Sequence, residues 1–268
     1  MSGLFRLRAE PSLLGRVVAA AACLGIILII WTVLTWGATP EARIISPSVL
    51  PSVGETFRSF ESLWFERALT RNVFASLLRV MFGFGLAIVI GVPIGIVCGT
   101  WPRINAFFAP LTVFGRNVPI SALVPITLLW FGIDEKQKIM FIFLACIAFV
   151  IVDTAGAIAS VHERYVQSAY TLGASKAQII LKVLVPLALP DIFSSLRLLF
   201  GLAFGYIVLA EMVNMTSGLG ALILTSQRRG PMEHVYLVLF SITLIAYGID
   251  RMLLSVQHYL FPYRESDG

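Results

Sequence analysis

Val161-His162-Glu163-Arg164-Tyr165-Val166-Gln167-Ser168-Ala169-Tyr170-Thr171-Leu172-Gly173-Ala174-Ser175-Lys176-Ala177-Gln178 is the polar stretch on which the organisation of this chain turns. A helix over its first half ends at Leu172, because Gly173 suits the left-handed conformation that closes a helix. Ser175-Lys176-Ala177-Gln178 has the spacing of a capping box, in which a serine hydroxyl and a glutamine side chain satisfy free N–H groups at a helix start. Ile179, Ile180, Val183 and Leu184 follow, and Pro186 and Pro190 punctuate the approach to the next apolar run. The pattern predicts helix, glycine turn, helix: a rigid bracket over residues 161–186, suited to passing force from a partner or to serving as a plain structured connector.

Apolar runs flank the bracket, at about residues 139–160 and 188–213. They belong to a chain of 268 residues that is 58% hydrophobic and 13% charged, with a mean hydropathy of +0.88. An ordinary soluble domain carries about 25% charged residues. The shortage of charge excludes a soluble enzyme, a nucleic-acid-binding module and a disordered protein, and points to an all-α membrane protein. At about 20 residues per span, the apolar content fills six crossings. The net charge of +5 then reads as orientation signals and contacts with anionic membrane lipids.

The first crossing runs from Val17 to Gly37, behind a basic segment with Arg6, Arg8 and Arg16 that argues for a cytoplasmic N-terminus. Residues 38–71 form an extracytoplasmic segment in which Ser52-Val53-Gly54-Glu55 is a first capping box. Val53, Phe57, Phe60 and Trp64 recur there at helical spacing, as in a helix lying at the membrane interface or packed on the bundle. Residues 72–262 form a five-helix core, and 263–268 a tail. The second crossing, about 73–99, holds Gly83, Gly91, Gly95 and Gly99 on one face, which lets another helix approach closely; Pro93 should kink it. A third crossing lies within 107–131, and the polar cluster from Asp134 to Lys138 ends it. Residues 214–235 are expected as a loop, and the sixth crossing is about 236–257. With six crossings, the bracket and the C-terminus share the cytoplasmic side with the N-terminus.

Pro110, Pro119 and Pro125 interrupt the third crossing beside Arg116 and Asn117. A broken helix is tolerated in a bilayer only where protein or a water-filled cavity satisfies the freed backbone groups. Arg116, Asn117 and Pro119 are therefore the candidate lining of a translocation pathway that favours a small anion. Arg79, Asp153, Arg197 and Glu211 are expected to pair or to reach the interface instead, since intramembrane charge is costly. Cys23, Cys98 and Cys146 lack metal-ligand spacing, and no metal site is expected. No catalytic residue is assigned: GxxxxGK[ST], HExxH and GxSxG are all absent, so the chain has no phosphate loop with which to cradle ATP.

The bracket resembles the EAA loop of ABC-transporter permease subunits, whose pattern is EAA, three residues, Gly, nine residues, then I-x-L-P. Gln167-Ser168-Ala169 occupies the EAA positions, Gly173 the glycine, and Val183-Leu184-Val185-Pro186 the I-x-L-P positions, with Gln167 replacing the glutamate. Ser76-Leu77-Leu78-Arg79-Val80, Gly91-Val92-Pro93-Ile94-Gly95, Leu129-Trp130-Phe131-Gly132-Ile133, Ala210-Glu211-Met212 and Ser217-Gly218-Leu219-Gly220 look like the nitrate/sulfonate/taurine/bicarbonate subfamily. The likeness covers roughly residues 47–262.

The resemblance implies a type I ABC importer permease fold in a bacterial inner membrane. It implies a second permease chain, expected as a homodimer, two ATPase subunits that bind the ATP and Mg, and an extracytoplasmic substrate-binding protein. This chain would then hold no cofactor. Tyr165, Gln167, Ser168, Ala169, Tyr170, Leu172, Gly173 and Pro186 would couple to the ATPase, and Ser217, Gly218 and Gly220 would form a flexible loop at the periplasmic gate. A permease of the same architecture for a neutral or cationic nutrient, such as a vitamin precursor, stays open as an alternative. So does an ATP-independent secondary transporter or channel.

Overall fold

The computed structural model describes residues 12–37, 39–213, 217–229 and 231–262, and all its regular elements there are helical. Arg6, Arg8, Glu10, Gly230 and the tail with Arg264 lie outside the described residues. The elements are α1 (Leu13–Leu34), α2 (Val53–Arg58), α3 (Phe60–Phe65), α4 (Leu69–Thr100), α5 (Pro102–Asn117) and α6 (Ile120–Phe131), followed by α7 (Glu135–Ala159), α8 (Glu163–Thr171), α9 (Lys176–Ile179), α10 (Val185–Val213), α11 (Leu219–Arg229) and α12 (Met232–Leu260). Five stretches are long and apolar enough to cross a bilayer: α1, α4, α7, the run from α9 through α10, and α12. The pair α5 and α6, bent by 103° at Val118-Pro119, makes the sixth.

α4 and α7 form the centre, and they run parallel. A Cβ placed on Gly83 would meet Ile142, on Gly91 Val150, on Gly95 Thr154 and on Gly99 Ile158, all within 3 Å. The offset between partners is the same at every step, so the glycine face predicted on the second crossing is a groove filled by α7. Small residues let the backbones approach and replace the hydrophobic drive that lipid does not supply. α4 continues through Pro93 as one helix. A parallel pair needs a return crossing between its members, and α5 with α6 provides it.

α10 runs antiparallel to α4: Glu211, near its end, bonds Ser76 near the start of α4. α12 runs antiparallel to α10, with Gln257 against Ser194 and Arg197 paired to Asp250. The described end of α12 therefore lies toward the α8 face. α1 has no buried residue and is fixed at its end on the other face, where the Trp31 indole donates to the Pro51 carbonyl at 2.8 Å.

Three sequence expectations change. The cluster Asp134 to Lys138 does not close the third crossing; from Glu135 it is the first turn of α7, with Gln137 and Lys138 fully buried. Residues 214–235 are not all loop, because α11 occupies Leu219–Arg229 and buries Leu219, Leu222 and Ile223. The helix expected over Val53 to Trp64 breaks at Ser59 into α2 and α3. Both pieces pack on the bundle: Phe57 meets Phe240 edge to face, and Leu63 is fully buried.

Candidate functional site

Three places carry the candidate residues, and the bracket is the most fully built. α8 begins at the His162 cap and ends in a paired backbone motif: the Gly173 N–H donates to the Tyr170 carbonyl at 2.9 Å and the Ala174 N–H to the Ala169 carbonyl at 3.0 Å. Gly173 has φ +78, the left-handed conformation that this closure requires. Ser175 and Gln178 form the expected capping box. The chain then passes through a π-helical stretch, Ile180–Leu184, into α10. Such a widened turn strains the hydrogen-bond ladder and is frequent at functional positions.

The bracket is seated by Ala169, Ile179 and Leu184 against Ala157 and Ile158 of α7 and Ala188 and Ile192 of α10. Tyr165, Gln167, Ser168, Tyr170 and Leu172 are all exposed around it, with Leu172 at 87%. Ala169 does not belong to that exposed set; it is buried and anchors α8 from below. Pro186 is exposed at the start of α10, beyond the bracket's two short helices.

On the opposite face, the residues expected at the gate are held in a charge cluster. Glu211 is fully buried and lies 2.6 Å from Arg79 Nη1. Ser76 Oγ sits 2.7 Å from its carboxylate, and the Gly220 N–H donates to it at 2.9 Å. Arg79 also donates to the Ser217 carbonyl and hydroxyl and, through Nη2, to Glu135 at 2.6 Å. Lys138 completes the set against Glu135. The Gly218 N–H donates to the Asn72 side chain at 2.7 Å. Gly218 has φ +111, and a Cβ there would collide with the Glu211 carboxylate. The stretch Ser217 to Gly220 is thus pinned, not a loose loop. Sequence reasoning expected Arg79 and Glu211 to be paired but did not connect them to Ser217 or Glu135, because the four lie on separate elements.

The third place is the α5–α6 break. Arg116 and Asn117, in the last turn of α5, and Pro119, the residue that caps the start of α6, are all exposed. The Arg116 guanidinium lies 5.3 Å from the centroid of the Phe149 ring on α7. Asn117 donates to the Val113 carbonyl at 2.7 Å, capping its own helix. Pro119 has no N–H to offer the carbonyl of Gly115, which leaves polar backbone at the break. Among the described residues, no group of three or more His, Cys, Asp or Glu is placed to hold a metal ion.

Comparison with known proteins agrees with this architecture. Residues 91–262 match the model of the family described as "binding-protein-dependent transport system inner membrane component". The chain is 30% identical over 245 residues to the taurine transport system permease protein TauC of Escherichia coli, covering 90% of this chain and 88% of that protein. It is 28% identical over 242 residues to the putative aliphatic sulfonates transport permease protein SsuC of Bacillus subtilis, covering 90% and 88%. With the bicarbonate transport system permease protein CmpB of Synechococcus elongatus it shares 31% over 196 residues, covering 73% and 70%. A solved structure of the MetNI methionine ABC transporter in an inward-facing conformation superposes with a TM-score of 0.67 at 21% identity, covering 75% of this chain and 98% of that one. Six apolar crossings and an exposed, rigidly seated bracket make the chain a multi-pass permease of the inner membrane, and it belongs to the family of binding-protein-dependent transport system inner membrane components.

Proposed function

We propose that the chain is one half of the membrane pathway of an ATP-driven importer for a small anion-bearing solute, and that α8 is the element its ATPase pushes. The observation that carries this reading is α8 itself. It is a short helix with Tyr165 and Tyr170 exposed on it and Leu172 exposed at its end, locked by Gly173 and seated on both α7 and α10. A helix so fixed moves its two neighbours when a partner moves it. In this reading the α8 face, with both termini, is cytoplasmic; two ATPase subunits bring the ATP and Mg, and a second copy of the permease completes the pathway. Ser217, Gly218 and Gly220 then stand at the extracytoplasmic gate, to which a binding protein delivers substrate. The names of the relatives, with taurine, sulfonates and bicarbonate, support a small anionic group, as does the exposed Arg116 at the helix break.

The test is reconstitution of the chain in liposomes with its ATPase and binding-protein partners. Taurine, ethanesulfonate or bicarbonate should stimulate ATP hydrolysis and enter the liposomes. Stimulation by a neutral or cationic nutrient alone would overturn the anion reading. Transport by the chain without an ATPase would overturn the ATP-driven one.

A further inference from the structure

Arg116 has no hydrogen-bonded side-chain partner among the described residues; its guanidinium rests on the Phe149 ring. Phe149 and Asp153 lie one turn apart on the same face of α7. Asp153 is half-buried and within electrostatic range of Arg116, yet among the described residues the two form no direct ion pair. Gly115 brings α5 close enough to fix this geometry: a Cβ there would sit 2.8 Å from that of Ala148. Asp153 is the costly member of the two: half-buried in a bilayer protein, it gives up hydration without being joined to a cation, while Arg116 stays exposed beside it. Carbonyls freed at the α5–α6 break add acceptors beside them. A cavity of about 320 Å³ between α4, α5 and α7 is lined in part by Asn105, Thr112, Val152 and Gly156, with Thr112 one turn before Arg116 and Val152 next to Asp153 in the chain.

We propose that Arg116 and Asp153 form a transient site for a small zwitterion, whose anionic head meets Arg116 and whose ammonium group meets Asp153. The proposal rests on the reading of the chain as a permease for anion-bearing solutes and narrows its substrate class. A plain anion would use Arg116 and leave Asp153 as a repulsive neighbour. A zwitterion whose charges are separated by a short carbon chain satisfies both groups without requiring them to close on each other. Phe149 supplies an apolar wall and holds the guanidinium in place through its ring face.

The test uses the complete complex in liposomes, with taurine and with ethanesulfonate, which lacks the ammonium group. Asp153→Asn should lower taurine uptake at least about tenfold, the usual scale for removing one partner of a charge contact. Ethanesulfonate uptake should persist. Asp153→Glu should restore taurine uptake, and Arg116→Gln should lower uptake of both. Melting of the purified variants separates loss of site from loss of fold. Equal effects of Asp153→Asn on the two solutes, or no effect, would overturn the proposal. Where the wild type carries taurine alone, a loss in Asp153→Asn that Asp153→Glu does not restore would overturn it. Wild-type uptake of ethanesulfonate or bicarbonate without taurine overturns the zwitterion site and leaves the anion reading standing; uptake of none of the three sinks both.

Discussion

Arg79 of α4 and Glu211 of α10 meet at 2.6 Å, with side-chain exposures of 5% and 0%. Neither charge can be left alone there. Arg79→Met strands Glu211 in a dry site, and breaking a buried pair from one side costs about 3–5 kcal/mol. The variant should melt well below the wild type in detergent, while the double replacement Arg79→Met with Glu211→Met should recover part of the loss. A single variant as stable as the wild type would show that the cluster is hydrated.

Gly173 has open space around the position of a Cβ, so its substitution tests backbone conformation alone. A β-branched residue at φ +78 is an outlier, costing on the order of 1–3 kcal/mol, whereas asparagine tolerates that region. Gly173→Val should abolish coupled ATP hydrolysis and uptake in the reconstituted complex, and Gly173→Asn should keep most of both. Full uptake by Gly173→Val would remove the turn from the coupling path.

The α4–α7 groove makes a sharper contrast among glycines. Gly95→Ala forces its methyl into Thr154 and the Ile151 carbonyl and should destabilise by about 1–3 kcal/mol through overpacking. Gly85→Ala, on the same helix, meets nothing within 4 Å and should be neutral or slightly stabilising, since alanine is the better helix former. Melting temperatures of the two purified variants decide the point.

Outside the crossings, the Arg43 guanidinium, the Ser52 N–H and the Ser52 hydroxyl hold the Glu55 carboxyl down at about 2. A carboxylate depressed in the folded state adds stability that is complete above its unfolded value, near 4.5, and is lost as pH falls toward about 2. Hydrogen exchange of the 52–58 amides, relative to its intrinsic rate at each pH, should accelerate across that window. In Glu55→Gln it should be faster at neutral pH and lack the step.

What could be read from the chain alone was local. Both capping boxes, the Gly173 turn and the glycine face of α4 follow from spacing within a few residues, and the structure contains each of them. What could not be read depended on distant partners. Lys138 looks like a surface residue in a polar run, and its burial follows from Glu135 and the bundle around it, with Arg79 arriving from another helix. The Thr127 partner of Gln137 lies across the Gly132 turn. The parallel course of α4 and α7 is set by the return crossing, which no periodicity reports. Among the candidate site residues, Ala169 shows the same limit: its neighbours on α8 face out, and only the seating on α7 and α10 turns it inward.

The constant register of α4 on α7 has a mechanical side. Helices whose ridges and notches mesh at four levels in one register cannot creep past each other; they can rotate together or jump by a whole notch. α7 carries the bracket at one end and Glu135, clasped to Arg79, at the other. A displacement of α8 therefore has a stiff two-rod lever to act on, and its far arm ends at the clasp over Ser217 and Gly220.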